Sequence, residues 1–370
     1  MRSELIPLFE PIRVGALHLP NRIVMAPLTR SRAHDGNVPH SAASDYYSQR
    51  ASAGLIVAEA TQVSDTAQGY PSTPGIHTGA QVKAWSTVTD AVHQAGGRIV
   101  LQLWHVGRVS HPIYQPGGRL PVAPSALAAP EQTMGPDGSM LDFPVPRALD
   151  EEEIFGYAAE FASAAKRARD AGFDGVEIHA ANGYLIDQFL RDATNLRSDS
   201  YGGSVDNRIR FLREVVEAVA ATWSVERIGV RISPQNSFNG MSDRDPQALF
   251  TRVAELLGEL GVAYLHVIEP IGPHPMASPP GSRPLAPAIR EAFDGVLILN
   301  GGYTGDLAAE AVASGAADLV SFGAPFIANP DLPFRLRSGA ALAPADPATF
   351  YGGGEHGYID YPTLEAIHVA

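Results

Sequence analysis

The chain has 370 residues, 45% of them hydrophobic and 18% charged, which suits a folded protein with a large buried core and excludes a disordered one. Its 27 basic and 40 acidic side chains leave a net charge of −13, which argues against broad contact with nucleic acid or an anionic membrane. Cysteine is absent, which excludes a disulfide frame, a thiolate nucleophile and a cysteine metal site.

The opening stretch MRSELIPLFEPIRVG lacks the apolar run of a signal peptide, and no uninterrupted apolar run reaches about 18 residues, so a cytoplasmic protein free of membrane is expected. In chain order, eight short runs rich in Val, Ile and Leu then read as strands. They are RIVMAP (22–27), LIVAEA (55–60), RIVLQL (98–103), GVEIHA (175–180), IGVRIS (228–233), YLHVIE (264–269), VLILNG (296–301) and LVSFGA (319–324). Continuous apolar runs suit strands buried on both faces, as in parallel sheets. Most are separated by alanine-rich segments of helical spacing, such as EIFGYAAEFASAAKRARDAG and NRIRFLREVVEAVAATW. Gly172 and Gly261 stand where helix C-caps are expected.

Strand and helix repeated eight times predict a single (β/α)8 TIM barrel, with residues 1–370 forming one α/β domain. A doubly wound open sheet is the competing reading, and the absence of GxGxxG after the first strand counts against it. Residues 105–148, after the third strand, are rich in Pro and Gly with little helical period. A connection this long is expected to be a lid or cap, the alternative being a flap with no role.

In a barrel the chemistry sits at the C-terminal ends of the strands. Those ends carry Thr29 after strand one, Glu59 and Ala60 at strand two, and Gln102, Trp104 and His105 at strand three. Strand four gives His179, Asn182 and Tyr184, strand five Arg231, and strand six His266 and Glu269. Gly301 and Gly302 follow strand seven, and Gly323 and Ala324 follow strand eight, where barrels commonly hold a phosphate on bare backbone N–H groups. Polar side chains on strands three, four and five can then face a planar ring across the barrel mouth. An imidazole, an amide and a phenol within six residues are more than a simple strand-to-helix turn needs.

The stretches LFEPIRVGALHLPNRIVMAPLTRSRA, HAANGYLIDQFLRDATNLRSDSYGGSVDNR, RISP, NGGYT and FYGGGEHGYIDYP resemble the motifs of the old yellow enzyme family of flavin-dependent ene-reductases, and the likeness covers nearly the whole chain. The Thr of APLTR, the His–Asn pair and the lack of cysteine resemble its classical branch. The resemblance implies non-covalent FMN, with Pro27, Thr29, Ala60, Gln102 and Arg231 around the isoalloxazine and Gly301, Gly302, Gly323 and Ala324 at the phosphate. It implies NADPH or NADH as reductant in a ping-pong cycle, and small activated alkenes (α,β-unsaturated carbonyl or nitro compounds) as substrates. Hydride would pass from flavin N5 to the β carbon, and Tyr184 would protonate the α carbon. His179 and Asn182 correspond to a clamp on the substrate oxygen, and Tyr70, Trp104, Phe238 and Tyr351 to the pocket wall.

The residue types suit these roles. A fixed arginine stabilises the charge of a reduced flavin near N1. Two donors stabilise an oxygen on which negative charge develops. A phenol with an ordinary pKa of about 10 stays protonated and can act as an acid. Each also has a structural alternative: Arg231 pairing with a carboxylate, Gln102 and Thr29 satisfied at strand ends, His179 a structural histidine, Tyr184 anchoring a helix. His105, His266 and Glu269 match no catalytic position of the family and read as structural or pocket-edge.

One position departs from the pattern. Ala324 stands where the family usually places an arginine on the FMN phosphate, and the next basic residue is Arg335. A hydrogen bond to a charged group is worth about 1.5–3 kcal/mol, so weaker FMN binding or a replacement arginine from elsewhere is expected. A cofactor-poor binding or isomerase barrel is the second functional reading. A phosphate-dependent aldolase ranks last, since none of the eight strand runs contains lysine. Both a monomer and a homodimer fit the sequence.

Overall fold

Eight short strands close a parallel barrel in the computed structural model, which describes residues 3–271 and 281–364. They are β1 (Ile23–Met25), β2 (Leu55–Gln62), β3 (Ile99–Trp104), β4 (Gly175–His179), β5 (Ile228–Ile232), β6 (Tyr264–Ile268), β7 (Val296–Asn300) and β8 (Leu319–Phe322). Each pairs in parallel with the next, and β8 returns to β1. Strands β2 to β6 are buried along their whole length, which is why their sequences run apolar rather than alternating.

Helices form the outer layer. Glu151–Asp170 buries Ile154, Ala158, Phe161 and Ala165, and Arg210–Thr222 buries Phe211, Leu212, Val215 and Val219, the apolar stripes that gave these segments their helical period. A chain reversal follows the first at Gly172, and Gly261 caps the helix Pro246–Leu260 in the left-handed region. Below the barrel, the antiparallel hairpin Ile12–Val14 and Leu17–Leu19 packs Val14, Leu17 and Leu19 against Val24, Leu55, Val57, Val100, Ile298 and Leu319. This apolar plug closes one end and leaves the C-terminal ends of the strands as the polar mouth.

The strand ends shift from the sequence reading by one or two residues, and two differences bear on the mouth. Strand β2 runs past Ala60 to Gln62, because its register on β3 shifts between Ala58 and Thr61. Such a bulge re-aims side chains beside a site. Residues 105–148, read as irregular, contain a hairpin (Gln132–Met134 with Met140–Asp142) and a two-residue parallel pair (Val122–Ala123 with Arg147–Ala148). Pieces this short leave no period in the sequence.

The excursion is tied within itself and to the segments that follow β2 and β5. Arg108 donates to the carbonyls of Leu127, Ala128 and Asn239, and Thr133 Oγ1 donates to Gly69 O at 2.7 Å. Among the described residues no helix is long and apolar enough to cross a membrane.

Candidate active site

At the end of β4, Ala180 N donates to Arg231 O at 2.9 Å, and the chain then turns sharply through Asn182 (φ +57°) and Gly183 (φ +75°). A Cβ at Gly183 would lie 2.7 Å from Asn239 Cβ, so the turn requires glycine. The helix Leu185–Leu190 that follows holds the turn from behind. Asp187 Oδ2 accepts from Gly183 N at 2.9 Å, and Gln188 Nε2 donates to Gly183 O at 2.7 Å. Arg191 Nε donates to Asp187 Oδ1 at 3.0 Å, with both side chains buried. Thus the LIDQFLR stretch serves the turn that precedes it.

The turn brings His179, Asn182 and Tyr184 together, all buried. The Tyr184 ring meets His179 edge-on at 4.9 Å between centroids and Trp104 edge-on at 5.1 Å. Tyr70 stacks on Trp104 at 5.9 Å, and the Tyr70 and Tyr184 hydroxyls are 3.5 Å apart. His179 Nδ1 accepts from Ala181 N at 3.3 Å, which assigns the ring proton to Nε2. Burial, then the charges of Arg231 and His266, hold His179 well below the usual imidazole range, so it is a neutral N–H donor. Burial, then Tyr70, pushes the Tyr184 hydroxyl well above 10, so it carries its proton at any working pH. Asn182 Oδ1 accepts from Asn236 Nδ2 at 2.8 Å, which leaves Nδ2 as the free end of the amide.

Beneath these groups lies a polar layer inside the barrel. Glu177 accepts from Gln102 Nε2 at 2.8 Å and Tyr264 OH at 3.1 Å, and lies 2.9 Å from His266 Nδ1. Burial favours the neutral acid, but His266, Arg231 and Gln102 outweigh it and hold Glu177 below its ordinary range. His266 Nε2 lies 2.7 Å from Ser321 Oγ, which makes it an interior strut. Arg231 donates to Asn300 Oδ1 at 3.0 Å and keeps a buried Nε with no partner. Burial brings its pKa down to about 10, against Glu177 and Tyr264, so it stays charged at neutral pH.

The remaining strand-end residues fall into place around this layer. Pro27 is buried, Thr29 half-buried, and Ala60 packs in one cluster with Trp104 and Tyr184. His105 Nδ1 accepts from Gly107 N at 3.0 Å, and burial pushes its pKa down to about 3, so it fixes its own loop. Glu269 accepts from Leu285 N at 2.6 Å and Ala286 N at 3.0 Å, at the start of the helix Ala286–Ala292. Phe238 and Tyr351 are exposed at the rim, 37% and 67%, while of the other two expected wall residues Trp104 is buried and Tyr70 half-buried against it. Tyr351 is near enough to act electrostatically on both Tyr70 and Tyr184.

Its segment is fastened by two arginines that motif reading quoted without a role. Arg30 donates to Phe350 O and Gly357 O, and Arg32 to Thr349 O and Gly354 O. Sequence reasoning also missed Glu177, Asp187, Gln188 and Asn236. The LIDQF and VEIH stretches held the first three in view; for Asn236 no sequence signal existed, since its role depends on a contact 54 residues away.

After β7, where the sequence suggests a phosphate, Gly301 has φ +135° and a Cβ there would lie 2.5 Å from Pro270 Cα, so only glycine fits. Gly302 and Ala324 are exposed. Arg335 does not reach this place: it is buried and engaged with Asp331 Oδ1, Ala341 O and Pro362 O. Ala324→Arg is therefore expected to tighten FMN by about tenfold, since a bidentate guanidinium matches a phosphate. FMN dissociation constants from released-flavin fluorescence at two salt concentrations check this, with a gain that shrinks as salt rises. No gain, or a loss, shows that another residue already neutralises the phosphate.

The residues present fit a flavin: an unpartnered buried guanidinium nitrogen on Arg231, the buried amide of Gln102, and a glycine pair in the left-handed region after β7, of which Gly301 has no room for a side chain. Barrel and mouth together define a flavin-dependent (β/α)8 oxidoreductase. The chain belongs to the NADH:flavin oxidoreductase / NADH oxidase family, whose model matches residues 7–343. It is 46% identical over 368 residues to 12-oxophytodienoate reductase 1 of Oryza sativa subsp. japonica, covering 98% of this chain and 94% of that one. It is also 46% identical to a probable flavin mononucleotide-dependent alkene reductase of Leishmania infantum, covering 96% and 97%. Among solved structures it resembles morphinone reductase (50% identity, TM-score 0.93, 98% and 97% covered) and the old yellow enzyme homologue of Zymomonas mobilis (47%, 0.94, 96% and 99%).

Proposed function

We propose that this protein reduces the activated C=C bond of small α,β-unsaturated carbonyl or nitro compounds, as a one-domain FMN enzyme with NADPH or NADH as reductant. The observation that carries this reading is the juxtaposition of two neutral donors, His179 Nε2 and Asn182 Nδ2, with a protonated phenol, Tyr184. When bound, FMN would supply the hydride chemistry that links the nicotinamide to the β carbon of the alkene in a ping-pong cycle. Pro27, Thr29, Ala60, Gln102 and Arg231 hold the ring, with Arg231 supplying the positive charge that a reduced ring favours. Gly301, Gly302, Gly323 and Ala324 hold the phosphate on backbone N–H groups.

His179 and Asn182 grip the carbonyl or nitro oxygen and stabilise the charge that develops there. Both act as hydrogen-bond donors without giving up a proton, which suits an oxygen that regains its double bond. Tyr184 gives its proton to the α carbon and recovers one from solvent. Trp104 and Tyr70 hold the phenol in place through edge and stacking contacts. Phe238 and Tyr351 at the rim contact the outer part of the substrate.

The test is anaerobic and uses two mixings. The protein is bleached by NADPH or NADH and then mixed with 2-cyclohexenone. Return of the yellow absorbance with formation of cyclohexanone is expected. Bleaching that the enone cannot reverse would remove alkene reduction from the reading and leave only the flavin chemistry.

A further inference from the structure

We propose that Asn236 is a positioning residue that decides which end of the Asn182 amide faces the substrate; this rests on the clamp reading above. The two ends of an amide have nearly the same shape but opposite hydrogen-bond sense. Asn182 strengthens the clamp only with Nδ2 toward the substrate oxygen. Flipped, it would set a carbonyl oxygen against it.

The backbone of Asn182 does not make this choice. Its N–H donates to Ser233 Oγ at 2.8 Å and its carbonyl accepts from Asn239 Nδ2 at 2.8 Å. These bonds fix the turn and leave the amide free to rotate. Asn236 supplies the missing direction. The backbone N–H of Phe238 can only donate, and it ends on Asn236 Oδ1 at 2.7 Å. The other end of Asn236 is then a nitrogen, which can only donate, and it meets Asn182 Oδ1 at 2.8 Å. Asn182 Nδ2 is left for the substrate. Both side chains are buried, 3% and 6% exposed, so water is a poor substitute for either bond. A main-chain N–H thus sets the sense of a donor two amides away.

Asn236→Asp replaces the donor of this relay by an acceptor. Phe238 N–H still occupies one oxygen, and the other turns the Asn182 amide around. The probe is 4-chlorophenol bound to the FMN-loaded protein, read by its long-wavelength charge-transfer band. Its dissociation constant is expected to rise about tenfold or more in Asn236→Asp, because an attraction becomes a repulsion. Asn236→Ala unlocks the amide without reversing it, and a smaller rise of about threefold is expected. To separate the relay from direct repulsion of a phenolate by a new carboxylate, Asn236→Asp is repeated in the Asn182→Ala background. There it should change binding by no more than about twofold, as for a residue that acts only through its neighbour.

An undiminished loss in that background shows plain charge repulsion and overturns the proposal. A weakened Asn182→Ala beside an unchanged Asn236→Asp overturns the relay alone. Unchanged binding in Asn182→Ala overturns the clamp, and this inference with it. Far-UV circular dichroism and FMN content establish that each variant is folded and loaded.

Discussion

Tyr184→Phe should slow alkene reduction by about 100-fold or more, while reduction of the flavin by nicotinamide changes by no more than about twofold, because general-acid catalysis is typically worth 10² to 10⁴ in rate. The asymmetry follows from where the phenol stands. Its hydroxyl is buried, held well above pKa 10, and packed edge-on between His179 and Trp104. Those contacts involve the ring, which phenylalanine retains, so the pocket should keep its shape. Besides a long 3.5 Å contact with the Tyr70 hydroxyl, only the proton is lost, and only the second half of the cycle uses it. Stopped-flow absorbance of the two half-reactions measures both rates. Equal slowing of both halves would make Tyr184 a structural residue.

His179→Ala and Asn182→Ala should each raise the dissociation constant of a phenol by about tenfold or more, since each removes one donor worth about 1.5–3 kcal/mol on a charged oxygen. The Michaelis constant of an enone should rise less, because a neutral carbonyl makes a weaker bond than an oxyanion, and the remaining loss should fall on the alkene half-reaction. Titration by the charge-transfer band checks the first statement. Two variants that bind phenol as the parent does would remove the clamp from this account.

The barrel was legible in the sequence because its strands are buried on both faces. Eight short, mainly apolar runs, with amphipathic segments between most of them, admit few other folds. The ends of the strands were less legible. The extension of β2 to Gln62 comes from a register shift against β3, which is a property of the pair and not of either strand. The order within residues 105–148 was hidden because two- and three-residue strands carry no pattern.

In the site, His179, Asn182 and Tyr184 stood out because three polar residues crowd one strand end; all three are buried, with the rings of His179 and Tyr184 meeting edge-on. Their support did not stand out. Glu177, His266 and Tyr264 form a buried polar layer whose members lie 87 and 89 residues apart along the chain. In the runs GVEIHA and YLHVIE, Glu177 and Tyr264 drew no notice, and His266 read as structural or pocket-edge without its partners. The exposure of Tyr351 and Phe238 was also beyond reach, since aromatic residues suggest burial and only the path of the C-terminal segment, fastened by Arg30 and Arg32, puts Tyr351 at the rim.

In the proposed reaction, hydride and proton reach adjacent carbons of one alkene by two separate routes. The most direct measurement is product NMR after 2-cyclohexenone is reduced with NADPH or NADH carrying deuterium at both C4 positions, in ordinary water, and then with unlabelled reductant in deuterium oxide. The account predicts deuterium at the β carbon alone in the first experiment and at the α carbon alone in the second, before any exchange of the ketone's own acidic hydrogens. Deuterium from the solvent at the β carbon, or none from the nicotinamide in the product, would contradict it.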